Sequence, residues 1–219
     1  MLTFLRVSQI HWSTFQMIRG KTPKRLETSD YIEVARIHST CIDLGFLSSL
    51  GLGFLALLYE AIDADEKSVL ILEKKNNQVV GFVAGGRGMK SIYRKMLLRF
   101  PRVFISLFPS MLNPKKVIKI VELLFLGTKQ KSLPSCPQAE LLSIAVIDSA
   151  RGGGLAQKLY KSLGQSFFQE GEFAFCMVVG ETLTPAHCFY QKMGATPLAQ
   201  LSVHKGQSST LYRQDLPIA

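Results

Sequence analysis

The alternation of apolar and polar positions divides the chain into short strands and amphipathic helices. Residues 69–72 and 79–84 are β-branched runs separated by Lys74-Lys75-Asn76-Asn77, which predicts two antiparallel strands joined by a polar turn. Glu140–Val146 is a further strand-like run. It leads through Asp148-Ser149-Ala150 into a glycine-rich turn and a helix over about residues 153–169. On that helix Leu155, Leu159, Leu163 and Phe167 recur every four residues, and Ala156, Tyr160 and Phe168 widen the stripe enough to cover a sheet. Residues 173–179 predict the next strand. Thr184-Pro185 reads as the N-cap and first position of a short helix ending at Gly194, and strands near 199–204 and 210–213 close the chain.

Upstream, a first strand is expected near residues 15–19. Asp30 has the chemistry of an N-cap for a helix carrying Ile32, Ala35, Ile37 and Ile42, and a second helix is expected over residues 51–62. This order predicts an α/β chain with a mixed, mostly antiparallel sheet flanked by helices. Residues 1–14 read as an extension, 15–214 as one domain and 215–219 as a tail. The 47% hydrophobic content is enough for one core.

Cys41, Cys136, Cys176 and Cys188 show neither a C-x-x-C pair nor a disulfide framework, so reduced thiols are the expectation. His187 and Cys188 are adjacent, and neighbouring helix positions point apart, which argues against a nucleophilic pair. His11, His38 and His204 lack ligand spacing, and no metal site is predicted. Polar residues interrupt the apolar start before a secretory segment forms, so a cytoplasmic chain is expected, peripheral to the inner membrane face if it meets lipid.

The chemistry concentrates at Arg151-Gly152-Gly153-Gly154-Leu155-Ala156. Three glycines opening a helix after a strand let several amides converge on an anion, aided by the helix dipole. Neither the G-x-x-x-x-G-K-[ST] nor the G-x-G-x-x-G fingerprint is present, which weakens nucleoside triphosphate and dinucleotide readings. Leu142-Ser143-Ile144-Ala145-Val146 followed by Arg151-x-x-Gly154-x-Ala156 resembles the GNAT superfamily of N-acetyltransferases, whose motif is [RQ]-x-x-G-x-[GA]. Downstream, Ala186-x-x-Phe189-Tyr190-x-x-x-Gly194 resembles a second element of that family. The chain departs from the family pattern at Leu183, where Asn is usual, and at Ala195, where an aromatic is usual.

The resemblance implies a GNAT-like fold, acetyl-CoA as acyl donor and a primary amine as acceptor. It implies that backbone groups of Ile144, Ala145 and Val146 pair with the pantetheine arm. The amides of Arg151, Gly152, Gly153, Gly154, Leu155 and Ala156 would hold the pyrophosphate, with Arg151 adding charge compensation. It also implies that Tyr190 acts as general acid; packing as a core aromatic is the alternative. Glu140, a carboxylate in an otherwise apolar strand and six residues before Val146 on the same face, is the candidate general base. The alternative is a solvated strand edge. A longer acyl-CoA is compatible with the same turn. The rival functional class is a non-catalytic CoA-binding or interaction module.

Residues 74–121 hold eleven Lys or Arg and no Asp or Glu, against a net charge of +10 for the whole chain. Apolar positions alternate with these cations and prolines interrupt them, predicting amphipathic helices in an insertion at about 88–132. That insertion separates the third and fourth strands, counting the strand near 15–19. Three roles compete: a lid over an acidic acceptor such as a nucleotide-linked amino sugar, an anionic membrane contact through residues 88–120, or a helical layer on the core or on a second subunit of a homodimer. A nucleic-acid partner ranks below lipid, because bulky aliphatics interrupt any basic stripe.

Overall fold

The computed structural model describes residues 26–42, 46–97, 136–204 and 207–218. The expected strand near 15–19, the extension at 1–14 and most of the basic insertion lie outside them. Five α-helices and six strands occur among the described residues. In chain order they are α1 (Thr28–Cys41), α2 (Leu52–Asp63), β1 (Ser68–Lys75), β2 (Gln78–Gly86), α3 (Met89–Leu97), β3 (Glu140–Val146), α4 (Leu155–Gln169), β4 (Ala174–Gly180), α5 (Thr184–Lys192), β5 (Thr196–His204) and β6 (Gln207–Asp215). The sheet order is β1-β2-β3-β4-β6-β5, and every neighbouring pair is antiparallel except β3 with β4. The mixed, mostly antiparallel sheet flanked by helices is therefore the one the sequence predicts.

Local chemistry sets the boundaries. Asp30 is not the N-cap of α1. The cap is Glu27, and Asp30 stands at the third helical position, where its carboxylate accepts the Glu27 amide at 3.2 Å in a capping box. Asp30 also meets Lys74 at 2.6 Å, tying the helix start to the end of β1. The β1–β2 turn narrows to Asn76 and Asn77, with φ of 52° and 63°, the left-handed pair a two-residue hairpin needs. Thr184 likewise is not a cap: Leu183 holds that position and Pro185 falls within the first turn of α5.

Two apolar clusters cover the two faces of the sheet. On one, α1, α2 and α3 contribute Val34, Phe54, Leu58, Tyr59, Ile92 and Met96 against Phe82, Ala84 and Ala145. On the other, α4 lays Leu159, Leu163 and Phe167 against Val83, Leu141 and Phe175, and α5 adds Tyr190. Each fully buried aliphatic or aromatic side chain of this stripe contributes about 1.5–3 kcal/mol. Close approach needs glycine at Gly85, where a Cβ would stand 2.7 Å from Leu163 Cδ1 and from Phe167 Cζ. The one described helix of the basic insertion, α3, is part of the core: Ile92, Tyr93 and Met96 are buried, and Lys95 pairs with Asp65 at 3.4 Å.

Candidate functional site

β3 and β4 meet at a single register pair, Glu140 with Cys176, and the Cys176 amide donates to Ala139 at 2.9 Å beside it. Past that point the strands part into a V. The opening contains a cavity of about 170 Å³ lined by Glu140, Leu142, Cys176, Met177, Val178 and Leu211.

A bulge controls which way Glu140 faces. Ala84 pairs with Ser143 and Gly85 with Leu141, so Leu142 is an extra residue in β3. Leu141, Ile144 and Val146 pack on the α4 side, whereas Leu142, Ala145 and Ile147 pack on the α1–α2 side. Strict alternation predicts Glu140 and Val146 on one face. The inserted residue breaks it, and the pleat places Glu140 on the face of Leu142, opposite Val146. Glu140 is half-buried, and burial raises its carboxyl pKa above the ordinary value. Its carboxylate makes no hydrogen bond among the described residues, so nothing offsets that desolvation.

The turn after β3 leads into α4. Gly152 and Gly154 have φ of 83° and 77°, and a Cβ at Gly152 or Gly153 would meet nothing within 4 Å. Glycine is thus required at 152 and 154 by backbone conformation, with open space outside Gly152 and Gly153. The amides of residues 152–157 donate to no acceptor among the described residues, and they converge at the positive end of a 15-residue helix. Such a cradle fits a pyrophosphate. Arg151 is less free than the sequence suggests. Its guanidinium meets Asp148 at 2.8 Å and donates from Nε to the Val146 carbonyl at 3.1 Å, bracing the turn against the end of β3. Of the other expected cofactor contacts, Ile144, Ala145 and Val146 line β3, and Leu155 and Ala156 open α4 half-buried.

Tyr190 is buried among rings. Its centroid lies 5.3 Å from Phe189, 5.8 Å from Tyr160 and 6.3 Å from Tyr212. Its hydroxyl has no hydrogen bond among the described residues, and burial raises its pKa further above the ordinary value. Tyr190 belongs to the α4–α5 face and Glu140 to the α1–α2 face, with the parting strands between them. His187 has another use: its ring contacts the Tyr212 hydroxyl at 2.8 Å and the Gly180 carbonyl at 3.0 Å, while Cys188 is exposed. The carbonyl, which can only accept, fixes Nε2 as a donor.

Two groupings had no signal in the sequence. His38, Tyr59 and Ser143 form a hydrogen-bonded chain across α1, α2 and β3. Cys136 and Cys176 meet beside Glu140. Both depend on long-range packing that spacing does not reveal. Among the described residues no group of three or more His, Cys, Asp or Glu could hold a metal ion, and no helix is long and apolar enough to cross a membrane.

The model of the acetyltransferase (GNAT) family matches residues 45–195. No curated relative matches the chain. Among solved structures, the N-acetyltransferase from Staphylococcus aureus Mu50 is 15% identical with a TM-score of 0.57, covering 88% of this chain and 96% of that one. The ribosomal-protein-alanine N-acetyltransferase from Brucella melitensis is 14% identical with a TM-score of 0.55, covering 87% and 97%. The yncA structure from Salmonella typhimurium, solved with its cofactor acetyl-CoA, is 12% identical with a TM-score of 0.55, covering 88% and 91%. At these identities the structural likeness carries the fold, and the family model, spanning more than half of the chain, carries the membership. The chain belongs to the GNAT family of acetyltransferases.

Proposed function

We propose that this GNAT acetyltransferase passes an acetyl group from acetyl-CoA directly to a primary amine, with Glu140 as general base and Tyr190 as general acid. The observation that carries the reading is the position of Glu140, a half-buried carboxylate without a hydrogen-bonding partner, at the apex of the β3–β4 opening.

Acetyl-CoA supplies an activated thioester carbonyl. The amides of Gly152, Gly153, Gly154, Leu155 and Ala156 bind its pyrophosphate, and the β3 edge at Ile144, Ala145 and Val146 pairs with the pantetheine amides in place of β4. Arg151 keeps the turn in register with that edge. Glu140, whose raised pKa makes it a better proton acceptor than a surface carboxylate, takes the proton lost when the acceptor ammonium becomes a nucleophile. Tyr190, a neutral phenol at ordinary pH, donates its proton to the departing sulfur from the opposite face. A nucleophilic side chain is not required, so no acyl-enzyme forms.

The acceptor is an amino sugar, a small amine or a peptide. One carboxylate among Leu142, Met177, Val178 and Leu211 favours a cationic amine on an apolar stem. The test is release of CoA from acetyl-CoA against a panel of amino sugars, polyamines and peptides. Turnover on at least one panel member is expected. Tight CoA binding with no turnover on any would instead make the chain a binding module.

A further inference from the structure

Two of the four cysteines, 40 positions apart in sequence, come together at the apex of the β3–β4 opening. Cys136 Sγ lies 2.9 Å from Cys176 Sγ. A disulfide bond is about 2.05 Å long, so less than about 1 Å separates this contact from a covalent one. One end is held in the sheet and the other adjoins it: Cys176 is the β4 residue registered with Glu140, and Cys136 lies in the irregular segment four residues before Glu140. The other thiols are elsewhere, Cys41 against the Val146 carbonyl and Cys188 exposed on α5.

Reactivity within the pair is asymmetric. Cys136 is half-buried, whereas Cys176 is only 1% exposed. Burial, followed by Cys136 itself, pushes the Cys176 thiol well up from its ordinary value, so it is the poorer attacking group. The reachable sulfur therefore reacts first and the buried one resolves.

We propose that Cys136 and Cys176 are a reversible disulfide site that takes oxidising equivalents from a low-molecular-weight disulfide such as glutathione disulfide. Cys136 loses its proton to solvent and attacks one glutathione sulfur, breaking that disulfide, expelling one glutathione thiolate and forming a mixed disulfide. Cys176 then loses its proton and attacks the Cys136 sulfur, expelling the second glutathione thiolate. Two protein thiols become one disulfide, and one glutathione disulfide becomes two glutathiones. The bond ties the approach to β3 onto β4 at the one point where those strands meet. The site is independent of the catalytic reading, because its chemistry needs neither acetyl-CoA nor an acceptor.

The experiment treats the reduced full-length chain with glutathione disulfide, alkylates the remaining thiols, and reads intact mass, peptide maps and thermal midpoint. Expected are a mass loss of about 2 Da before alkylation, a Cys136–Cys176 linked peptide, reversal by dithiothreitol, and a midpoint above that of the reduced protein. The same linkage is expected in the Cys41→Ser/Cys188→Ser double variant. Cys136→Ser should leave no intramolecular link, and it remains informative if Cys176→Ser fails to fold. Four alkylated cysteines after oxidation, glutathione retained on Cys136, or a different linked pair would each overturn the proposal. A correctly linked protein that melts below the reduced form would overturn the expected tie between the approach to β3 and β4, since the bond would then form only by straining that junction.

Discussion

The hydroxyl of Tyr59 stands 2.9 Å from the hydroxyl of Ser143, joining α2 to the residue that follows the β3 bulge. The same phenol meets Nδ1 of His38 on α1, so one oxygen links three elements on the face that carries Glu140. Replacing Tyr59 by Phe keeps the ring but strands His38 in an apolar interior. The expected loss is about 1–3 kcal/mol of folding stability, read by urea denaturation. An unchanged midpoint would mean that the chain of hydroxyls contributes nothing to the fold.

His38 gives the protein an acid-sensitive component. Burial lowers its pKa from 6.5 to about 4, so the fold prefers the neutral ring. Between those values the unfolded chain binds more protons than the folded one, and stability rises with pH. The contribution is complete above about pH 6.5 and is lost as pH falls toward about 4, amounting to roughly 3 kcal/mol over the window. In His38→Gln the stability difference between pH 7.5 and pH 5 should shrink, which chemical denaturation at the two pH values measures.

Glu140 should trade stability against activity. Its raised pKa means the folded state favours the protonated acid, so a penalty is absent at low pH and grows as pH rises through the folded pKa. Glu140→Gln is therefore expected to melt at or above the wild-type temperature at pH 8, with the advantage gone at pH 4. Its turnover should fall by about 10²–10⁴-fold, and the remaining rate should move to higher pH, where the acceptor amine is already deprotonated. Wild-type kinetics in this variant would return Glu140 to a structural role.

Tyr190→Phe separates chemistry from packing. The hydroxyl makes no hydrogen bond among the described residues, and the ring contacts with Tyr160 and Phe189 survive its loss. The expected result is an unchanged melting temperature, near wild-type CoA affinity by calorimetry, and turnover lower by about 10²-fold or more. Equal loss of CoA affinity and turnover would point to distortion of the site.

At the glycine turn, charge and strain can be told apart. Gly154 has φ of 77°, so any side chain there costs about 1–2 kcal/mol, although only Gln157 Oε1, at 3.6 Å, is near the new Cβ. Gly154→Ala should weaken CoA binding modestly. Gly154→Glu, which adds a negative charge to the cradle, should weaken it by at least a further 10²-fold or so. Identical effects of the two would remove the anion from the argument.

The elements that the sequence announces are those whose signals are local. The four-residue repeat of Leu155, Leu159, Leu163 and Phe167 predicts α4, and the strand pattern predicts both ends of β3. The glycine turn is legible because positive φ and an open helix start are properties of consecutive residues. The side of the sheet on which Glu140 lies is not, because one unpaired residue, Leu142, reverses the alternation and only pairing with Gly85 and Ala84 exposes it. Asp30 reads as a cap for a similar reason: a carboxylate three residues into a helix has the same composition signal as one at its start. The meeting of Cys136 with Cys176 arises from the parallel crossing of β3 and β4, which no spacing rule encodes.

The single contact between β3 and β4 has a bearing on solubility. An unpaired strand edge normally invites another protein chain to add to it, and sheets commonly defend their outer rims with charge or short strands. Here the unpaired edge is interior, recessed between two strands that already belong to the molecule and walled by α4 and α5 on one side. A second polypeptide strand could pair with that edge only by entering between β3 and β4, not by adding to an outer rim. The fold thus keeps the pairing capacity of an open sheet while withholding it from aggregation.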